Sequence, residues 1–170
     1  MKKKFFVASL FIFSSYFSYS QQPSLPQVYP KIVGYASFIH PIVTFDKNGS
    51  TFNFSDSYTV GFPMGINILK SDKMGFSFEL APFIKSQNDT AKVNYILFHP
   101  GAMFRFKHNF TFIARLAFET SGRFGFTPVF NKVVVKTKDV NYFIALATPY
   151  RTGNAKPGTI ALTLQLGAIF

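Results

Sequence analysis

No cysteine occurs in the 170 residues, which excludes disulfides and thiolate metal sites. Tryptophan is absent too, so any interfacial aromatic belt has to come from the 24 Phe and 8 Tyr. Acidic residues are scarce, 7 Asp and Glu against 18 Lys and Arg, for a net charge of +11. Past Lys2-Lys3-Lys4 the basic residues form no run, so nucleic-acid binding is not expected. Lys70, Lys73, Lys107, Lys136 and Lys138 instead fall near expected strand ends, where lipid phosphates are the natural counter-charge. The 3 His are scattered without clustered carboxylates, and no glycine-rich phosphate loop is present, so neither a metal nor another cofactor is expected. Past the amino-terminus no window of about 20 residues is apolar enough for a transmembrane helix. The apolar content is dispersed in alternation instead.

The amino-terminus reads as an export signal. Lys2-Lys3-Lys4 is a basic start, and Phe5 to Phe13 is apolar but too short to span a bilayer as a helix. Ser18 and Ser20 supply small residues before a cut ahead of Gln21. Residues 1–20 are thus expected to be a cleaved signal peptide, with no nearby Cys for a lipid anchor. Residues 21–31, with Pro23, Pro26 and Pro30, read as an extended leader. Residues 32–170 make one domain.

At the other end Phe170, Ala168, Leu166, Leu164, Leu162 and Ile160 alternate with Ile169, Gly167, Gln165, Thr163 and Ala161. A period of two is a strand with two unlike faces. A long final strand, apolar on one face and ending on an aromatic residue, resembles the closing strand of a small Gram-negative outer-membrane β-barrel, of the OmpA and OmpX type. In that family the terminal aromatic strand helps the barrel-assembly machinery recognise the chain, which would make Phe170 an assembly signal. The resemblance implies an all-β, antiparallel up-and-down transmembrane barrel of about eight strands in the outer membrane. It covers most of 32–170 and brings no catalytic motif.

Strands are expected at about 32–45, 58–69, 75–85, 92–106, 110–120, 129–136, 140–150 and 159–170. In the first, the odd residues Val33, Tyr35, Ile39, Val43 and Phe45 are expected to face lipid, with Gly34, Ala36 and His40 inward. In the third, fourth and fifth, Phe76, Phe78, Leu80, Phe98, Phe104, Phe112 and Leu116 would face out. Glu79, Lys85, Arg105, Arg115 and Glu119 would face in. Gly122 to Gly125 and Arg151 to Gly158 read as loops. The connections near 70–74 and 107–109 are short and the one at 46–57 is longer, which suits short periplasmic turns and long outer loops. The competing fold is a soluble barrel or sandwich, which would turn the same alternation inside out.

An eight-stranded barrel is nearly filled by its side chains, so inward charges have to pair. Glu79, Lys85, Arg105, Arg115, Glu119, His40, His99 and Gln165 are the candidates for one lumenal polar network. His40-Pro41 and His99-Pro100 should each break the ladder, and at similar depth they would make a lateral opening. A lipid A-modifying barrel would need His beside Ser and a carboxylate, with His40 or His99, Ser37 or Ser77, and Glu79 or Glu119 available. Ser37, however, is expected to face lipid. The favoured expectation is a non-enzymatic integral outer-membrane protein, structural or an accessory subunit of a larger assembly. A narrow or gated pore and a lipid-modifying enzyme are the alternatives. Expected partners are outer-membrane lipids, the assembly machinery and a larger outer-membrane complex.

Overall fold

The computed structural model describes residues 28–170. The expected signal peptide, and the leader up to residue 27, lie outside the described residues. From Lys31 onward the chain is one antiparallel sheet closed on itself. Its strands are β1 (Lys31–Asp46), β2 (Gly49–Phe52), β3 (Tyr58–Gly61), β4 (Met64–Leu69), β5 (Met74–Gln87), β6 (Thr90–Arg105), β7 (Phe110–Glu119), β8 (Phe124–Lys136), β9 (Asn141–Ala147), β10 (Tyr150–Gly153) and β11 (Lys156–Ile169). β3 and β4 form one interrupted stave, as do β9 and β10, and β2 is a hairpin extension of β1. Eight staves remain.

Closure is made by β11 against β1, in register from Tyr35↔Ile169 to Phe45↔Ile160. The seam runs one residue further. Phe170 and Gly34 exchange backbone hydrogen bonds of 3.0 and 2.9 Å. The Phe170 ring lies over Gly34, where an added Cβ would come within 2.7 Å of it.

The two interrupted staves break at prolines that face prolines. Phe62 and Pro63 separate β3 from β4, and the Phe62 N–H reaches Pro82 O on β5. Thr148 and Pro149 separate β9 from β10, and the Thr148 N–H reaches Pro128 O on β8. Neither proline of a pair can donate to the ladder, so the pairing lapses there and resumes beyond. The loop expected at 151–158 is instead the β10–β11 hairpin, turning at Asn154 and Ala155, both with positive φ. Residues 124 and 125 likewise belong to β8, which is longer than expected.

Parity follows the expectation on β5, β6, β7 and β11. Phe76, Phe78, Leu80, Phe98 and Leu116 are outside; Ser77, Glu79, His99, Arg115 and Gln165 are inside. On β1 the expectation was inverted. Tyr35, Ser37 and Ile39 are buried inside, and Ala36 and Phe38 lie outside. The cause is twofold. β1 is apolar on both faces, so alternation carries no sign there. A bulge between Pro41 and Val43 then switches the parity, returning Phe45 to the outside.

The exterior is a continuous apolar band, with Leu116 57% and Phe130 60% exposed. The uninterrupted staves of 10 to 16 residues meet or exceed the roughly 9–11 that cross a hydrocarbon core. A sealed barrel with an apolar outside and a charged inside is a membrane barrel, the reverse of a soluble one. Leu116→Arg places a guanidinium on the exterior at mid-height. We expect it to cost about 2–4 kcal/mol in denaturant titrations of the barrel in lipid vesicles. A change under about 0.5 kcal/mol, ordinary for a water-facing position, would overturn the lipid-facing assignment.

Candidate functional site: the lumenal plug and the chamber above it

The lumen has two apolar layers with a polar layer between them. Leu69, Met103, Ile113, Val129 and Phe143 fill the half nearer the chain termini. Ile39, Ala81, Phe83, Leu97 and Ala117 line the half nearer the long hairpins. Between them, period-two alternation on five staves delivers Tyr35, Ser77, Glu79, His99, Arg115 and Gln165 to one level.

Glu79 is the hub and is 1% exposed. It accepts from Arg115 Nη1 at 2.8 Å, from Tyr35 Oη at 2.8 Å and from His99 Nδ1 at 2.9 Å. Gln165 Nε2 reaches it at 3.5 Å and Ser37 Oγ at 2.8 Å. Arg115 spends its other terminal nitrogen on Tyr35 Oη and Ser77 Oγ, both at 2.9 Å. A buried ion pair persists only when its spare donors and acceptors are satisfied, and here most are. Arg115 finds room because Gly101 lies directly across from it on β6. A Cβ on Gly101 would stand 2.6 Å from Arg115 Cγ.

A second group continues towards the hairpin end. His99 Nε2 lies 2.9 Å from Thr127 Oγ1, and Arg151 Nη1 donates to that same oxygen at 3.0 Å. Arg151 Nε donates to Glu119 Oε1 at 3.1 Å, and Ser121 Oγ donates to Glu119 Oε2 at 2.7 Å. The hydrogen-bond roles assign the imidazole tautomer. Glu79 can only accept, so Nδ1 carries a proton. Thr127 Oγ1 accepts from Arg151 and shares a hydrogen bond with Nε2, whose direction follows the protonation of the ring.

Hydroxyl, imidazole and carboxylate in a row is also the order of a nucleophilic triad. Thr127, however, is only 3% exposed, and the Arg151 guanidinium sits on its oxygen. The serines weighed beforehand lie elsewhere. Ser37 faces inward, where it binds Gln165 and the Pro63 carbonyl, and Ser77 binds Arg115.

Of the residues the sequence nominated, Glu79, His99, Arg115 and Gln165 meet in the plug. Glu119 joins it only through Arg151 and Thr127. Three do not belong. Lys85 lies beyond the β5–β6 bulge, opposite Lys92 in the projecting hairpin. Arg105 ends β6 at the terminal rim, far along the stave from His99. His40 sits outside, packed at 5.3 Å from the Phe54 ring and 5.5 Å from the Tyr58 ring. Nor do the two His-Pro steps share a depth. His99 is level with Glu79, whereas Ile39, beside His40, is level with Gly61 and Phe83 nearer the hairpin end. Only the first step carries a bulge, and the pair makes no shared lateral opening.

Tyr35, Thr127 and Arg151 were missed. Tyr35 was lost to the β1 parity error and Arg151 to the supposed loop. A usable signal was present, because the chain has 4 Arg among 18 basic residues and three of them (Arg115, Arg123, Arg151) engage the lumenal side, while the lysines among the described residues are all exposed except half-buried Lys85. Arginine's planar, weakly hydrated fork tolerates burial better than a lysine ammonium.

The plug divides the lumen into a small cavity of about 30 Å³ on the terminal side and one of about 170 Å³ on the hairpin side. Arg115 lines both. Among the described residues no group of His, Asp and Glu is placed to hold a metal.

No family model matches the chain, and no curated protein matches it significantly. Two solved structures do. One comes from work on the de novo design of transmembrane β-barrels, with a TM-score of 0.48 and 8% identity over 86% of this chain and 98% of the other. The second is a de novo designed barrel solved by solution NMR, with a TM-score of 0.48 and 11% identity over 86% of this chain and 97% of the other.

Proposed function

We propose that this chain is a non-enzymatic integral protein of a Gram-negative outer membrane, a plugged barrel acting as a structural or accessory subunit of a larger assembly. The observation that carries this reading is the plug. Seven polar side chains, none more than 7% exposed, fill the waist of the lumen and hydrogen-bond to one another. A pathway for solute would have to break several charge-assisted bonds at once. The capped Thr127 oxygen argues in the same direction against a lipid-modifying enzyme.

Two exterior features support a membrane-embedded subunit. Lys70, Lys73, Lys107, Lys136 and Lys138 ring the terminal rim, all exposed, where anionic lipid headgroups would meet them. An apolar recess lies along the closing seam, lined by Ala36, Phe38, Pro63, Met64, Ile144 and Leu166. In planar bilayers the wild-type barrel is expected to show no discrete conductance. Steady single-channel steps at low voltage would replace the plugged-barrel reading with the pore. Purification of the native chain in mild detergent tests the accessory role, for which a stoichiometric membrane partner is the expected result.

A further inference from the structure

We propose that the hairpin-side chamber is a binding site for a small oxyanion, of carboxylate or phosphate class. The chamber, about 170 Å³, has space for several waters at ~30 Å³ each, or for one such anion with part of its hydration. Its wall carries three guanidinium groups, Arg115, Arg123 and Arg151, against one lining carboxylate, Glu119. That carboxylate is already engaged at both oxygens, by Arg151 and by Ser121. Glu79 lies below and belongs to Arg115. The two glutamates therefore leave one guanidinium in excess, that of Arg123 at the half-buried mouth of the chamber.

Unused donors mark where the missing acceptor belongs. Arg123 Nη1 makes no hydrogen bond among the described residues and keeps open surface, whereas Arg115 Nε and Arg123 Nε also lack partners but are closed off from the chamber. Arg151, 92% buried by its 8% exposure, donates from Nε and Nη1 and has no bond from Nη2 among the described residues. Arg123 is held in place from one nitrogen only, Nη2, by Arg151 O, Pro157 O and Thr159 Oγ1. Tyr95, stacked on Phe83 at 4.7 Å, adds a hydroxyl to the same wall. The guanidinium forks are thus pre-set by protein contacts while keeping donors free, which is the arrangement that binds planar or tetrahedral oxyanions. Access is from the hairpin end, past Arg123 and Thr159.

Because the chain has only 4 Arg, its arginine Nε–H resonances form a four-peak spectrum. The experiment titrates inorganic phosphate, and separately acetate, into the refolded barrel in a neutral maltoside detergent at constant ionic strength. The expected result is a saturable shift of the Arg123 and Arg151 signals, with Arg105 at the far rim unmoved. Arg123→Gln, at the half-buried mouth and outside the plug, should weaken the fitted affinity at least about tenfold through loss of a charge-assisted contact. Tyr95→Phe should weaken it less and keep the fold. An anionic phospholipid in bicelles that competes with phosphate would identify the natural source as a headgroup; absence of competition would identify a free solute. No saturable shift, or equal shifts of all four signals, overturns the proposal, as does unchanged affinity in Arg123→Gln.

Discussion

Glu79→Ala is expected to destabilise the barrel by about 3–5 kcal/mol, the usual cost of removing one partner from a buried ion pair. The carboxylate is the acceptor for Arg115, Tyr35 and His99 together, so the deletion strands a guanidinium and two further donors at the waist. Equilibrium refolding in lipid vesicles measures it. Glu79→Gln should fall between wild type and Glu79→Ala, because it keeps one acceptor oxygen and loses the charge. The Glu79→Ala/Arg115→Ala double variant should be less destabilised than the two single changes summed, by at least about 1 kcal/mol, since neither charge is then left alone. Strict additivity would mean that the pair is solvated rather than buried, and the plug would no longer account for a closed lumen.

The second large effect is steric. Gly65→Ala would put a Cβ 2.3 Å from the Phe78 carbonyl oxygen and 2.7 Å from the Tyr35 ring. The oxygen is backbone and cannot swing away, so β4 would have to part from β5 or Tyr35 would have to leave Glu79. Overpacking of this kind costs about 1–3 kcal/mol, and here it adds disruption of the plug. Gly65 is one of a set. Tyr35 faces Gly65, Phe83 faces Gly61, Phe143 faces Gly167, Arg115 faces Gly101 and Arg151 faces Gly125 in the register. Each large inward side chain thus takes up space a neighbour lacks. If Gly65→Ala unfolds at the wild-type denaturant midpoint, the backbone approach between β4 and β5 is looser than described.

The architecture was legible where one face of a strand is plainly apolar and the other is not. On β5, β6, β7 and β11 the rows of Phe, Leu and Ile set the parity, and Glu79, His99, Arg115 and Gln165 followed to the lumen. β1 was misread because Tyr35 and Ile39 on one face are as apolar as Ile32 and Phe38 on the other. Its bulge then scrambled the count. Lys85 keeps its inward parity on β5 but lies in the hairpin beyond the plug, because alternation gives the face of a residue and not its depth. Arg151 was hidden by Gly153, Asn154 and Pro157, which signal a turn without saying that strands resume on both sides of it. The Thr127–His99 contact joins β8 to β6, and Gln165–Ser37 joins β11 to β1, so neither has any local signature.

The waist of the barrel draws Tyr35 from β1 and Gln165 from β11, the two staves that meet only at the seam. Their contacts with Glu79 span 44 and 86 residues of chain. A sheet that is paired from β3 to β9 but still open would hold Glu79 and Arg115 without the tyrosine hydroxyl or the glutamine amide. Non-local contacts of this kind slow folding and bring their reward only at the end. The Glu79–Arg115 pair and the Tyr35 contact across β4 can form in an unsealed sheet, whereas the Gln165–Ser37 bond forms only when β11 meets β1. Closure therefore adds the last donors to a charge pair already made, and the network at the waist is complete only in the sealed sheet.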